Sequence, residues 1–508
     1  MTTHSHRITA MLLSAALVAS SSPARAAGPS ASSPVRIVGL PSPRSPLVTI
    51  RLVFQVGSAD DPPGQEGMAN LTAAMLGEGS TVKRTRTEVL DALYPMAADI
   101  HYYGDKDTFV FTGTVHRDNL DAFATLLAEQ ILTPRFSEDD FTRLRRDAHD
   151  GLTQTLRGND DEELGKQALA TVMYQGHPYA HPTLGTVTGL AAIRLADLRN
   201  FYTTHFVQDR LIVGVAGGYP RSFPTDFASR FATLPARGAA RPPLPVLAPR
   251  QGLAVLLVEK PALGNAISLG HPIAVNRSDD DFYPLAVAAS YLGEHRTFNG
   301  LLMLAMRQQR GLNYGDYAYV ENFVQDGATT FAEPNLPRRQ QHFEIWLRPV
   351  RPASAGFAIR QAIYETDKLI RDGIPAAGFA ATRDFLLNYV GLWAQDSSRR
   401  LGYAIDATIY GRDVIAELEA RLPKMTKDDV DRAVRRHLAT DRLAIVVVGE
   451  NARELAAALT TGKPTPVVYD TKDTPESILM EDKTIESYPL PISRGAVKIV
   501  PATALFEK

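Results

Sequence analysis

From Leu47, apolar and polar positions alternate through VTIRLVFQVGS, the period of a strand with one buried face. The loop ADDPPGQEG interrupts that run, and MANLTAAML then carries the apolar spacing of a helix. From Asp197, DLRNFYTTHFVQDRLIVGVAGG predicts a helix, a short turn and an apolar strand ending on Gly. The same order returns from Asp429 in DVDRAVRRHLATDRLAIVVVGE. At a single offset of 232, Asp197, His205, Asp209, Arg210, Leu211 and Gly217 meet Asp429, His437, Asp441, Arg442, Leu443 and Gly449. Leu76-Gly77-Glu78 has a counterpart in Leu292-Gly293-Glu294, each after a strand, an Asp-rich loop and a helix. The chain reads as a duplicated α+β unit of about 200 residues.

Punctuation between the periodic stretches sets the boundaries. Residues 236–251 (ARGAARPPLPVLAPRQ) hold four prolines, which no helix or central strand survives, and so predict a linker long enough for hinge motion. It separates a first half, 47–235, from a second, 252–464. Residues 27–46 are Pro/Ser-rich and read as an extended, loosely held arm. Residues 465–508, with strand-like pieces such as GAVKIVP, read as a tail lying on the body. Residues 1–26 have the form of an export signal: Arg7, an apolar run over 8–20, and the small-x-small site Ala24-Arg25-Ala26. That run is shorter than the roughly 20 residues a membrane span needs. The expectation is a cleaved, periplasmic protein with no span in its mature chain.

Composition narrows the chemistry. The 508 residues include no cysteine, which excludes disulfides, thiolate metal sites and a Cys nucleophile. Lys and Arg number 54 against 56 Asp and Glu, a net charge of −2, so a strongly basic nucleic-acid binder is excluded. His, carboxylates, hydroxyls, Arg and Tyr remain.

The segment Gly67-Met68-Ala69-Asn70-Leu71-Thr72-Ala73-Ala74-Met75-Leu76, with Gly79-Ser80 after it, resembles the signature helix of the M16 metallopeptidases (insulinase, pitrilysin and mitochondrial-processing-peptidase-like). HPYAHPTLGT (177–186), RQQRGLNYGDYAY (307–319) and the repeated helix–strand–Gly blocks also look like this family. The resemblance implies an α+β fold of two repeated M16-like (LuxS/MPP-like) sandwich domains, each a mostly antiparallel sheet with helices on one face. The family's inverted zinc motif sets two His four residues apart on one helical face, with a Glu between them to activate water. Here Asn70 stands at the first His, Ala73 at the Glu and Ala74 at the second His. The family's third ligand, a Glu farther along, falls on Gly151, beside Asp150. The isolated chain is therefore expected to hold no catalytic zinc and to cut no peptide.

The same resemblance assigns a second-half Arg and Tyr, seven residues apart, to the substrate: Arg307 and Tyr314 keep that spacing. A guanidinium can hold a peptide carbonyl and a phenol can donate to an oxyanion. Some two-subunit bacterial members divide zinc and Arg/Tyr between two chains. The resemblance implies a zinc-less subunit of a heterodimeric endopeptidase, with zinc in its partner; an inert peptide-binding or scaffold module of the envelope is the alternative.

Other clusters read more plainly. His177 and His181 are spaced i,i+4, but Pro178 and Pro182 forbid a helix, so a loop is expected ahead of a rebuilt metal site. The patch 101–107 (HYYGDKD) reads as the polar approach to a strand that could also meet substrate. His205 and His437 read as structural residues at helix C-termini, favoured by the dipole. Residues 159–163 (NDDEE) read as a solvated helix start.

Overall fold

The computed structural model describes residues 34–294, 299–469 and 473–508; the export segment read over 1–26 lies outside the described residues. Residues 34–508 form one compact unit.

Its strands are β1 (Arg36–Pro41), β2 (Leu47–Phe54), β3 (His101–Gly104), β4 (Phe109–His116), β5 (Leu211–Gly217), β6 (Ala254–Glu259), β7 (Asn265–Ile273), β8 (Gly315–Tyr319), β9 (Gln341–Val350), β10 (Ala444–Gly449) and β11 (Val497–Pro501). They build two sheets, ordered β1-β5-β2-β4-β3 and β11-β6-β10-β7-β9-β8. With β11 set aside, both sheets follow one order: first, fifth, second, fourth and third strand of each half. β1 runs parallel to β5 and β6 parallel to β10; the remaining pairs within this shared order are antiparallel. The fold is thus α+β with two repeated, mostly antiparallel sheets. The strands β5 and β10, aligned by the 232-residue offset, take the same place in each.

Each sheet is buried on both faces. In β5, Leu211, Val213 and Val215 point into one cluster with the first half's helices, while Ile212 and Ala216 point to the other side. That other side is covered by Leu401 and Ile405, fully buried, from the helix Ser397–Tyr410 of the second half. Gly214 allows this close approach, since a Cβ there would stand 2.6 Å from Ile405 Cδ1. The arrangement is reciprocal. The helix Asp161–Met173, from the first half, sends Leu164, Ala168 and Leu169 against Val446 and Val448 of β10. Near-continuous apolar strands such as AIVVVG in β10 follow from burial on two faces. Each buried Leu or Ile contributes about 1.5–3 kcal/mol.

Two readings of the sequence need correction, the arm over 27–46 and the acids within 159–163. The segment 27–46 is not a loose arm throughout: Arg36–Pro41 is the parallel edge strand β1, where the N–H lacked by its terminal proline is not missed. The tail supplies β11, which extends the second sheet beside β6, and its end bonds the first half, with Val187 N–H donating to Phe506 O at 2.9 Å. The linker has no regular structure and is tied to the first half. Its Arg241 binds Asp60 through both guanidinium arms at 2.9 and 2.7 Å and Asp107 at 3.0 Å, and Arg250 donates to Val172 O at 2.7 Å. The acids 160–163 do open a helix, with Asp160 as its N-cap, yet they are not simply solvated: Asp161 and Glu162 pair with Lys260 and Arg348 of the second half.

Candidate functional site

The helix Met68–Glu78 begins at Gly67, whose φ of 106° suits a residue without Cβ. Its first turn is capped from the preceding loop, where the buried Asp61 accepts from Gly67 N–H and Ala69 N–H at 2.7 Å each. Met68, Leu71, Met75 and Leu76 are buried on several sides of the helix, and so are Ala73 (0% exposed) and Ala74 (4%). Ala73 and Ala74 are thus packed against neighbours, while Asn70 is half-buried. Gly151 opens a π-helical stretch, Gly151–Asn159, with a Leu184 methyl 3.4 Å from where its Cβ would be.

Zinc takes imidazole, thiolate and carboxylate ligands. Asn70, Ala73, Ala74 and Gly151 offer one amide and none of these, so the residues present do not fit the ion. Among the described residues, no three His, Asp or Glu side chains converge to hold a metal.

Arg307 and Tyr314 are brought together. Arg307 lies in a second π-helical stretch, Met303–Gln308, and its guanidinium carbon stands 4.5 Å over the Tyr314 ring. Such stretches recur at functional sites because they shift side chains off the helical register. Tyr314 is 70% exposed, while its N–H donates to Arg348 O at 3.0 Å just ahead of β8. Two residues on, Asp316 is fully buried; burial raises its carboxyl to about 7, against Asn313 and Arg307, which pull it down. The pair sits on the second sheet's β8 edge, whereas the signature helix covers the first sheet.

Arg348 also faces a cavity of about 310 Å³ between the halves, lined by Lys166, Arg338, His342, Glu344 and Trp346. Lys166 Nζ stands 3.9 Å over the Trp346 ring, which Tyr319 flanks at 4.7 Å. The patch 101–107, read as a polar approach to a strand, holds this cavity shut on one side. Asp105 is buried and takes Arg338 through both guanidinium arms, Asp107 binds Arg339 and Arg241, and Lys106 donates to His181 O. The sequence reading named this patch as a strand entry that could meet substrate, but not the ion pairs that bury it.

The histidines singled out in the sequence lie on a loop and at helix ends. His177 and His181 lie on a loop, as expected; burial pushes both down to about 4. His205 ends the helix Leu195–His205, but burial lowers it, so the dipole does not keep it charged. His437 ends its own helix and pairs with Asp281 at 2.7 Å.

Comparisons with known proteins agree with this geometry. Residues 36–187 match the model of the insulinase family (peptidase family M16). An uncharacterised zinc protease of Mycobacterium tuberculosis is 24% identical over 410 residues, covering 78% of this chain and 86% of the relative. The mitochondrial-processing peptidase subunit beta of Neurospora crassa is 22% identical over 271 residues, 50% of this chain and 53% of that protein. Among solved structures, a peptidase M16 inactive domain from Pseudomonas fluorescens superposes with a TM-score of 0.72 at 21% identity, over 82% of this chain and 96% of that one. A protease from Helicobacter pylori gives 0.69 at 15% identity, over 82% and 97%. The repeated sheets and the signature helix thus agree with a match to the M16 (insulinase-like) peptidase family over 36–187 and with relatives that span most of the chain.

Proposed function

We propose that this chain is the zinc-less subunit of a periplasmic M16-type metalloendopeptidase, presenting Arg307 and Tyr314 to a peptide bound at the partner's metal site. The observation that carries this reading is the pair itself. A guanidinium and a phenol are stacked at 4.5 Å on an exposed rim, in a chain whose signature helix has no metal donors. Arg307 would hold a backbone carbonyl, and the Tyr314 hydroxyl would donate to the oxygen that gains charge during attack. Extended peptides would add to a sheet edge such as β3, which among the described residues pairs only with β4.

Co-expression with a zinc-bearing M16 partner tests this. The pair should hydrolyse unfolded peptides, and Arg307→Ala or Tyr314→Phe should lower kcat about 100-fold without dissociating it. Unchanged turnover in both variants overturns the proposal. Among the described residues no helix is long and apolar enough to cross a membrane. Retrieval of this chain from extract without any zinc-containing subunit would favour the inert peptide-binding module.

A further inference from the structure

Between the linker and the second half lies a cavity of about 1060 Å³ that plays no part in the reading above. Small-molecule sites commonly span roughly 300–1,000 Å³, so this is a large one. Its roof is the linker itself, residues 243–251, whose prolines hold it extended and offer few N–H groups. Its floor comes from the ends of β7 and of the helices Asp161–Met173 and Lys427–His437.

The lining is cationic. Arg250, Arg339, Arg436 and Arg442 contribute guanidinium groups, and among the described residues no Asp or Glu lines the cavity. Acids behind the wall answer part of this charge. Arg339 pairs with Asp107, while Arg436 and His437 share Asp281. Asp441, on the exposed turn before β10, acts electrostatically on His271. Two cations remain: Arg250 bonds a backbone carbonyl, Val172 O, and Arg442 has no hydrogen bond or ion pair among the described residues.

Of the lining histidines, His437 is paired with Asp281, and His177 alone leaves a buried ring nitrogen without a protein partner among the described residues. His271 is satisfied, its Nε2 accepting from Ala439 N–H at 3.2 Å and its Nδ1 donating to Pro272 O at 3.0 Å. His177 is 4% exposed, and its Nδ1 accepts from Tyr179 N–H at 3.1 Å. Its Nε2 must then carry the hydrogen, and it meets no protein acceptor among the described residues.

We propose that this cavity binds a small molecule bearing at least two phosphate or carboxylate groups, bridged between Arg250 of the roof and Arg442 of the floor. Two guanidinium groups on opposite walls suit two anionic groups of one ligand, since charge-assisted hydrogen bonds are the strong ones. Bound there, the ligand would tie the linker to the second sheet.

Calorimetric titration of the full chain with tripolyphosphate and, separately, with citrate at about 0.15 M salt tests the proposal. One or both should bind with a Kd below about 1 mM. Arg250→Gln and Arg442→Gln should each weaken binding about tenfold or more. Arg432→Gln, which removes an exposed guanidinium outside the cavity, should leave it unchanged. Tripolyphosphate alone would assign the phosphate class, citrate alone the carboxylate class, and both a site for either. Binding of neither, or binding indifferent to Arg250 and Arg442, overturns the proposal. Unfolding midpoints of the variants within a degree or two of wild type would show that lost binding is not lost folding.

Discussion

The two halves share one strand order but have parted in what they expose. In the first, the signature helix has become packing material: Ala73 and Ala74 are buried and contribute no polar atom beyond the backbone. In the second, Arg307 and Tyr314 remain at the surface, stacked on one another, with Tyr314 70% exposed. An aromatic that exposed does little for its own fold. Chemistry can thus be removed from one half while its architecture stays whole, because sheet and helix are held by apolar burial. The exposed Tyr314 ring of the other half lies outside that core.

The sharpest way to break this contrast is to rebuild the lost ligand set. Asn70→His with Ala73→Glu and Ala74→His forces an imidazole and a carboxylate into space now filled, and should cost about 5 kcal/mol or more. Urea unfolding would read the loss, and metal analysis should find less than one zinc per chain. A stable variant with stoichiometric zinc would show the packing to be far looser than described.

Next comes the exchange of helices, which should be equally severe in both directions. Leu164→Ala and Leu401→Ala each empty a fully buried site and should cost about 2–5 kcal/mol. Each should also lower one common transition rather than release one half. Two separate transitions would mean that the halves are independent after all.

A third comparison uses protons. His177 and His181 of the first half and His271 of the second are all held near 4 by burial, below their unfolded value of about 6.5. Between pH 6.5 and 4 the unfolded chain therefore binds more protons, so stability is present above that window and is lost as pH falls through it. Each group contributes at most about 3 kcal/mol. The urea midpoint should fall steadily on acidification, and His271→Phe should flatten the slope. The smallest effect is expected where the contrast began: Tyr314→Ala should change stability by no more than about 0.5 kcal/mol while abolishing the pairing with Arg307.

Much of the architecture was legible in the residues. The 232-residue offset between β5 and β10 follows from one strand place used twice, and the loss of His and Glu at 70, 73 and 74 was plain in the letters. What could not be read was which surface an apolar face meets. The leucines of Asp161–Met173 and Ser397–Tyr410 announce helices, but nothing local says that each crosses to the other sheet. RIVGLP was overlooked as a strand because it sits between prolines, which an edge strand tolerates. Asp105, Lys106 and Asp107 read only as the polar approach to a strand that could meet substrate, and it takes their partners Arg338, Arg339 and the His181 carbonyl to make them interior.

The reciprocal placement of two helices also bears on motion. A pair of domains joined by a strap can open like a hinge, and the strap here is long enough. Opening this chain would instead require withdrawing Leu164 from one sheet and Leu401 from the other at once, a step close to unfolding. In the two-subunit peptidase proposed above, admission of a peptide would then fall to rigid-body separation of the subunits, with this chain moving as a single wall.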